Sequence, residues 1–566
     1  MTRSLAAAPW LLVLGLAACS ASTTEPIPAG TPCGSGGTVS LAVAQTTVID
    51  CSNGTSVMMA GNGASYLVVA EFAGNQGPNS VVNYKLTASG GAMAAAAASV
   101  LAPPAASGGV AAPTSSGAGL QGRFDAVLLR QAATARGPFL RQLPAPVGSL
   151  APPPLGSVRG FHVISALTGT SFTNVGAALQ FIGDNLLVYV DTLAPAGGFT
   201  PTQLQAFSRY FDQTLYGLVT GAFGSPSDLD QNGRVIMLMS TVVNSISPAA
   251  NCATQGFIAG FFAPGDLSGG TNSNLGEVFY TIVPDPQATV SCAHSVQNVG
   301  DNVPATFVHE MQHLINYSQH VVVRGVAPMS SWMDEGLSII AEELGSLFYE
   351  QRCPPPACRT NPSQLFPDSA QGFVRGFLFD SYQYGLKPDT ASLTLNTDNT
   401  LGFAWRGGDW LLMRYLGDQL GSGVFRQLEQ GPSDGVTDIA TAAGQSFQQV
   451  MANFGIALYS DSLPGLPRTT APPADRFVSR NLRELWARLF ATSNGAADVP
   501  RAFPILPTAI TANTPTGGLD PGTLSFYRLN TGTAATVTLN FSQTGGGALA
   551  AALHPQLAIF RLPAGQ

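Results

Sequence analysis

His309 and His313 flank Glu310 in the run Thr306-Phe307-Val308-His309-Glu310-Met311-Gln312-His313-Leu314-Ile315-Asn316, and this run restricts the fold more than any other part of the chain. On a helix, residues four apart lie about 40° apart around the axis, so both imidazoles point the same way. Two neutral ring nitrogens can then reach one metal ion at about 2.0–2.1 Å. Glu310 is offset by about 100° from His309, which places it beside such an ion, where it can take a proton from a bound water. The pattern predicts a helix over 304–319. Pro304 suits its first turn, and Phe307, Val308, Met311, Leu314 and Ile315 give it an apolar anchor. The chain has only 6 histidines, so a chance H-E-x-x-H is rare.

A second helix is predicted at 331–347, opened by Trp332-Met333-Asp334-Glu335-Gly336-Leu337-Ser338. Glu335 there completes a His₂Glu set and leaves a fourth position open for water, which separates a catalytic zinc from a structural one. The plain alternative makes Asp334 and Glu335 first-turn acids favoured by the helix dipole. Glu342, two turns after Glu335 on the same face, could orient a ligand histidine or be a solvated acid.

H-E-x-x-H followed by a Glu inside W-x-x-E-G-L-S resembles the gluzincin metallopeptidases, and among them the hyicolysin family. Phe161 to Asp191, Asp228 to Met239, Asn274 to Tyr280 and Trp410 to Leu416 share the likeness, which covers roughly 155 to 460. The resemblance implies zinc held by His309, His313 and Glu335, with Glu310 as catalytic base. Two departures stand out. Thermolysin-like enzymes carry an acid four positions after the ligand Glu, where this chain has Ile339. Alanyl-aminopeptidase-like enzymes carry G-x-M-E-N, and Gly276-Glu277-Val278-Phe279-Tyr280 does not match it. The missing motif for binding a peptide N-terminus points to an endopeptidase. Tyr382 and Tyr384 are candidates by position for an oxyanion donor, with core packing as the alternative.

Asp228-Leu229-Asp230-Gln231-Asn232-Gly233 matches the opening of a Ca2+ loop, but Met239 stands where the bidentate Glu should be. We read it as a turn entering a strand, with calcium as the lesser alternative. His162, His294, His320 and His554 lack ligand spacing and are read as structural or solvated.

At 566 residues, several domains are expected. A net charge of −8 gives no basic footprint for nucleic acid. Arg3, the apolar stretch Leu5 to Ala18 and Leu16-Ala17-Ala18-Cys19-Ser20 resemble a bacterial lipoprotein signal peptide with its lipobox. By that resemblance, Cys19 carries the lipid and Ser20 suggests the outer membrane; the alternative is an ordinary signal peptide. Proximity in sequence suggests the disulfides Cys33–Cys51, Cys252–Cys292 and Cys353–Cys358.

The expected organisation is α+β. A signal peptide (1–19) precedes an N-terminal β-sandwich-like domain (20–90) and an Ala/Pro/Gly-rich linker with one helix (91–157). A zincin-like metallopeptidase domain with an active-site helix (158–470), a connector (471–514) and a β-rich module (515–566), read as possibly incomplete, follow. Within the linker, Leu120 to Leu143 reads as the helix. The expected function is a zinc-dependent metalloendopeptidase acting on proteins or peptides outside the cytoplasm. It would be anchored by lipid at an outer membrane or cell surface, or else secreted. The alternative is a catalytically inactive zincin-like binding lipoprotein. Oligomeric state, cleavage preference and removal of a pro-segment (20 to 155) stay open.

Overall fold

The computed structural model describes residues 32–74, 81–90, 119–134, 151–352, 368–394, 404–431, 435–467, 472–493, 495–514 and 516–566. The lipobox-like segment, most of the Ala/Pro/Gly-rich stretch and the expected Cys353–Cys358 pairing lie outside them. Five strands come first: β1 (Thr38–Val39), β2 (Thr46–Asp50), β3 (Ser56–Ala60), β4 (Ser65–Phe72) and β5 (Val82–Ser89). Helix α1 (Leu120–Thr134) is followed by β6 (Val158–Ile164), β7 (Phe172–Ile182) and β8 (Leu186–Asp191). Helices α2 (Pro201–Tyr210) and α3 (Tyr216–Phe223), joined by a π-helical turn, lead to β9 (Val235–Met239). Short helices α4 (Thr241–Ile246), α5 (Cys252–Gln255) and α6 (Gly265–Ser268) surround β10 (Gly260–Phe262), and β11 (Val278–Thr281) follows. The helical half holds α7 (Val296–Tyr317), α8 (Ser331–Arg352), α9 (Asp368–Leu386), α10 (Ala404–Leu420), α11 (Gly423–Glu429), α12 (Val436–Ala443), α13 (Phe447–Ser460) and α14 (Leu482–Thr492). Strands β12 (Thr508–Ala509), β13 (Gly517–Leu519), β14 (Leu524–Asn530), β15 (Thr536–Gln543) and β16 (Pro555–Arg561) close the chain. The architecture is α+β, as expected.

The central sheet has the order β10-β11-β9-β8-β7-β6. Its core strands β8, β9 and β11 run parallel and are apolar almost throughout, as strands covered on both faces must be. Strand β10 pairs antiparallel with β11 and ends the sheet. Helix α2 starts as the sequence suggests. Thr200 caps it, accepting from Gln203 N while the Gln203 side chain returns a bond to the cap, with Pro201 at the first turn.

Helix α7 begins earlier than predicted. Ser295 is its N-cap, accepting from Asn298 N at 3.0 Å, so Pro304 lies inside the helix and not in its first turn. The proline forfeits a bond to the carbonyl of residue 300.

The two terminal β segments, expected as separate modules at 20–90 and 515–566, share both of their sheets. One has the order β1-β3-β15-β5-β13, the other β12-β14-β4-β16-β2. The register of β4 runs from Ser65↔Asn530 to Glu71↔Leu524 on one side and from Tyr66↔Arg561 to Phe72↔Pro555 on the other. Each half has too few strands to cover its own apolar face, so the halves complete one another. The second sheet is covered on both sides: Val69 and Leu524 meet Gly455 of α13. This double burial explains why Tyr66 to Ala70 reads as a continuous apolar run. The Cys33–Cys51 and Cys252–Cys292 disulfides are both formed.

Candidate metal centre

Helix α7 lies against β10 and β11 on one side and α8 on the other. The helical spacing therefore carries both imidazoles to the α8 side, and α8 presents Glu335 to them from its first turns. The two Nε2 atoms of His309 and His313 lie 3.1 Å apart. The Glu335 carboxylate sits 3.7 Å from His309 Nε2 and 4.0 Å from His313 Nε2. Two ligands at zinc bond length and tetrahedral angle are about 3.3 Å apart, so the nitrogens are already spaced for one ion. All three residues are buried.

Each imidazole is held from behind. His309 Nδ1 lies 2.8 Å from Glu342 Oε1, and His313 Nδ1 lies 3.0 Å from Asp334 Oδ1. A carboxylate on Nδ1 fixes the ring and turns Nε2 toward the centre. Glu342 thus takes the orienting role that its spacing allowed. Asp334, read from sequence only as a helix-dipole acid, stands beside the other ring as an ion-pair partner, without the geometry of a hydrogen bond. Gly336, beside Glu335, lets α8 and α10 meet: a Cβ there would stand 2.8 Å from Met413 Cγ and 3.1 Å from Asp409 O.

Three further groups complete the surroundings. Arg406 of α10 places Nε 3.1 Å from Glu335 Oε2. Glu310 Oε2 accepts from Phe262 N at 2.9 Å, while Glu310 Oε1 is buried without a hydrogen-bond partner. Asp125 of α1 comes in from the other side: one ligand atom each from Asp125, His309 and Glu310 lie within 4.8 Å of one another. Neither Arg406 nor Asp125 carries a local sequence signal. Tyr382 is turned away, its hydroxyl bonded to the Arg501 backbone, and Tyr384 has Asp409, Glu71 and Asp389 as charged neighbours instead of the histidines.

The charges fit a cation. Burial, reinforced by Asp125, pushes the Glu310 carboxyl well above its ordinary range. Burial would lower His313, but Asp334, Glu335 and Glu310 outweigh it and raise that imidazole to about 10. Burial and the neighbouring His313 instead hold His309 well below the usual histidine value. Positive charge is thus strongly favoured between these carboxylates, and a divalent ion can take the place of a proton there. Two imidazoles and one carboxylate are also the donor types of a catalytic zinc site.

A second acidic group lies at the Asp228–Gly233 turn. Carboxylate oxygens of Asp228, Asp230 and Glu277 fall within 4.8 Å of one another. Local bonds occupy them: Glu277 accepts from Ser227 Oγ and Leu229 N, Asp228 from Gly233 N, and Asp230 from Asn232. The segment is a turn entering β9.

His309, His313 and Glu335 form a buried group of donors that could hold a metal ion. Over 192 residues the chain is 28% identical to a neutral metalloprotease, ShpI, of Staphylococcus hyicus, a match covering 34% of this chain and 40% of that protein. The likeness supports a relation to metalloproteases over a minority of either chain. No family model matches.

Proposed function

We propose that this chain is a zinc-dependent metalloendopeptidase of zincin-like fold that hydrolyses peptide bonds of proteins or peptides outside the cytoplasm. His309, His313 and Glu335 hold the zinc and Glu310 is the base. The observation that carries the reading is the convergence of the two Nε2 atoms, 3.1 Å apart, on the Glu335 carboxylate. The neutral metalloprotease relative supports it.

Bound zinc supplies the Lewis acidity that makes a water nucleophilic near neutral pH and polarises a carbonyl. Glu310 accepts the proton of the attacking water and passes it to the leaving amine. The Phe262 N–H holds Glu310 Oε2, which leaves Oε1 as the proton-accepting atom. Glu342 keeps the His309 ring in the tautomer that offers Nε2, and Asp334 stands 3.0 Å from His313 Nδ1, where it can do the same for that ring. Arg406 keeps Glu335 ionised, because a buried carboxylate beside a guanidinium favours its charged form. The intact Glu310 weighs against an inactive binding protein. Two disulfides accord with export, and a lipid anchor on Cys19 rests on the likeness of 16–20 to a lipobox.

Zinc content and casein hydrolysis, measured before and after a limited tryptic digestion quenched with a serine-protease inhibitor, test the proposal. Glu310→Gln should keep one zinc per chain and lose roughly 10²–10⁴-fold in rate. Full activity in Glu310→Gln would show that another group is the base.

A further inference from the structure

Helix α1 packs on strand β10 and brings Asp125 close to His309 and Glu310. Leu120, Phe124 and Leu128 recur at helical spacing and are buried. The Phe124 ring meets Phe261 of β10 edge-on at 5.2 Å. Strand β10 is the last strand of the sheet, and a free sheet edge is where an extended peptide can add as a further strand. Here that edge is taken. Gln121 Oε1 accepts from Ala259 N at 2.8 Å, and Gln121 Nε2 donates to Gly260 O at 2.8 Å. A side-chain amide thus makes the donor–acceptor pair that a substrate peptide group would make.

One turn further along, Asp125 points into the metal centre. It is only 3% exposed. Its Oδ1 accepts from Gln121 Nε2 at 2.7 Å, and its Oδ2 has no hydrogen-bond partner. A buried carboxylate oxygen without a partner costs free energy unless a cation meets it. The histidines and Glu335 leave one coordination position open, and His309 is shared between that group and a second one in which ligand atoms of Asp125, His309 and Glu310 lie within 4.8 Å of one another.

We propose that Asp125 is a fourth metal ligand and that α1 is an internal inhibitor, so that the chain as folded here is a latent enzyme whose cleft opens only when α1 leaves. The inference rests on the zinc reading above. It also narrows what can be removed on activation. Strands β2, β3, β4 and β5 pair with β13, β14, β15 and β16, so losing all of 20 to 155 would strip strands from both sheets of the sandwich. Displacement or excision of α1 alone leaves the sandwich whole.

The test uses the full chain loaded with Co2+, read by visible absorption and titrated with benzyloxycarbonyl-leucine hydroxamate, which needs both the open metal position and the cleft. The parent should bind the hydroxamate poorly, and Asp125→Ala should shift the cobalt bands and tighten binding by roughly tenfold or more. Asp125→Asn, which keeps size and helix, should act in the same direction if the alanine variant misfolds. Gln121→Ala should tighten binding by a smaller factor without replacing the ligand. Equal cobalt spectra and equal hydroxamate affinity in all chains, each holding one metal, would overturn the inhibitor and leave the zinc site standing. A parent chain that holds no metal would overturn both.

Discussion

Helix α8 carries two buried carboxylate clusters, and they differ in how completely each is satisfied. On one face, Glu335 and Glu342 meet His309, His313 and Arg406, while Glu310 Oε1 and Asp125 Oδ2 nearby lack hydrogen-bond partners. On another face, Glu343 accepts from Arg480 Nε at 2.7 Å, Trp410 Nε1 at 3.2 Å and Arg414 Nη1 at 3.4 Å. Burial would raise the Glu343 carboxyl, but the Arg414 and Arg480 guanidiniums outweigh it and hold it below the ordinary range. The second cluster ties α8 to α10 and to the segment before α14, and both Glu343 oxygens accept from protein donors. The first leaves donors aimed at one point. Saturated charge marks a structural tie, whereas converging unsaturated charge marks a place for a ligand.

Substitutions on the two faces should therefore separate stability from metal binding. The largest effect is expected for His313→Ala or Glu335→Ala: metal retention is lost outright while the fold survives, measured by zinc content and by thermal unfolding of the same sample. Glu343→Gln should do the reverse. It removes the carboxylate that Arg414 and Arg480 share, although Arg414 keeps Asp418 at 3.0 Å; it costs about 3–5 kcal/mol in denaturant unfolding and keeps the zinc stoichiometry of the chains that fold. Loss of metal without loss of stability in Glu343→Gln would break the comparison. Asp334→Asn is expected to be milder, with metal affinity falling roughly 10–100-fold in a chelator competition and unfolding little changed.

The smallest effect concerns acid. A carboxyl held below its unfolded value stabilises the fold above the unfolded pKa of about 4.3, and that contribution disappears as pH falls through the folded pKa. The contribution of Glu343 should therefore be lost below about pH 4, and Glu343→Gln should show a shallower acid limb than the parent. Parallel acid limbs would mean that the arginines do not hold Glu343 as the structure indicates.

The same helix shows how far the sequence could be read. The period of α8 puts Glu342 on the face of Glu335, so its place behind a ligand histidine was legible, although a solvated acid would fit the same spacing. The adjacent Glu343 has the same side chain, and nothing local distinguishes it; its partners lie 71 and 137 positions away. Arg406 and Asp125 were hidden for the same reason, since each reaches the site from a distant helix. The H-E-x-x-H run was legible because four residues make one helical turn, and its chemistry needs only that turn. The start of α7 differs because Pro304 signals a first turn more strongly than Ser295 signals a cap, yet the helix runs through the proline. The shared sandwich was not legible. Alternation identifies a strand and its buried face, but it does not say which distant strand will pair with it.

The central claim is that one zinc ion sits where His309, His313 and Glu335 meet. Anomalous diffraction on either side of the zinc absorption edge tests it directly. The expected result is a single strong peak within bonding distance of both Nε2 atoms and the Glu335 carboxylate. A zinc-loaded crystal with no peak there, or with its peak at Asp228, Asp230 and Glu277, would contradict it.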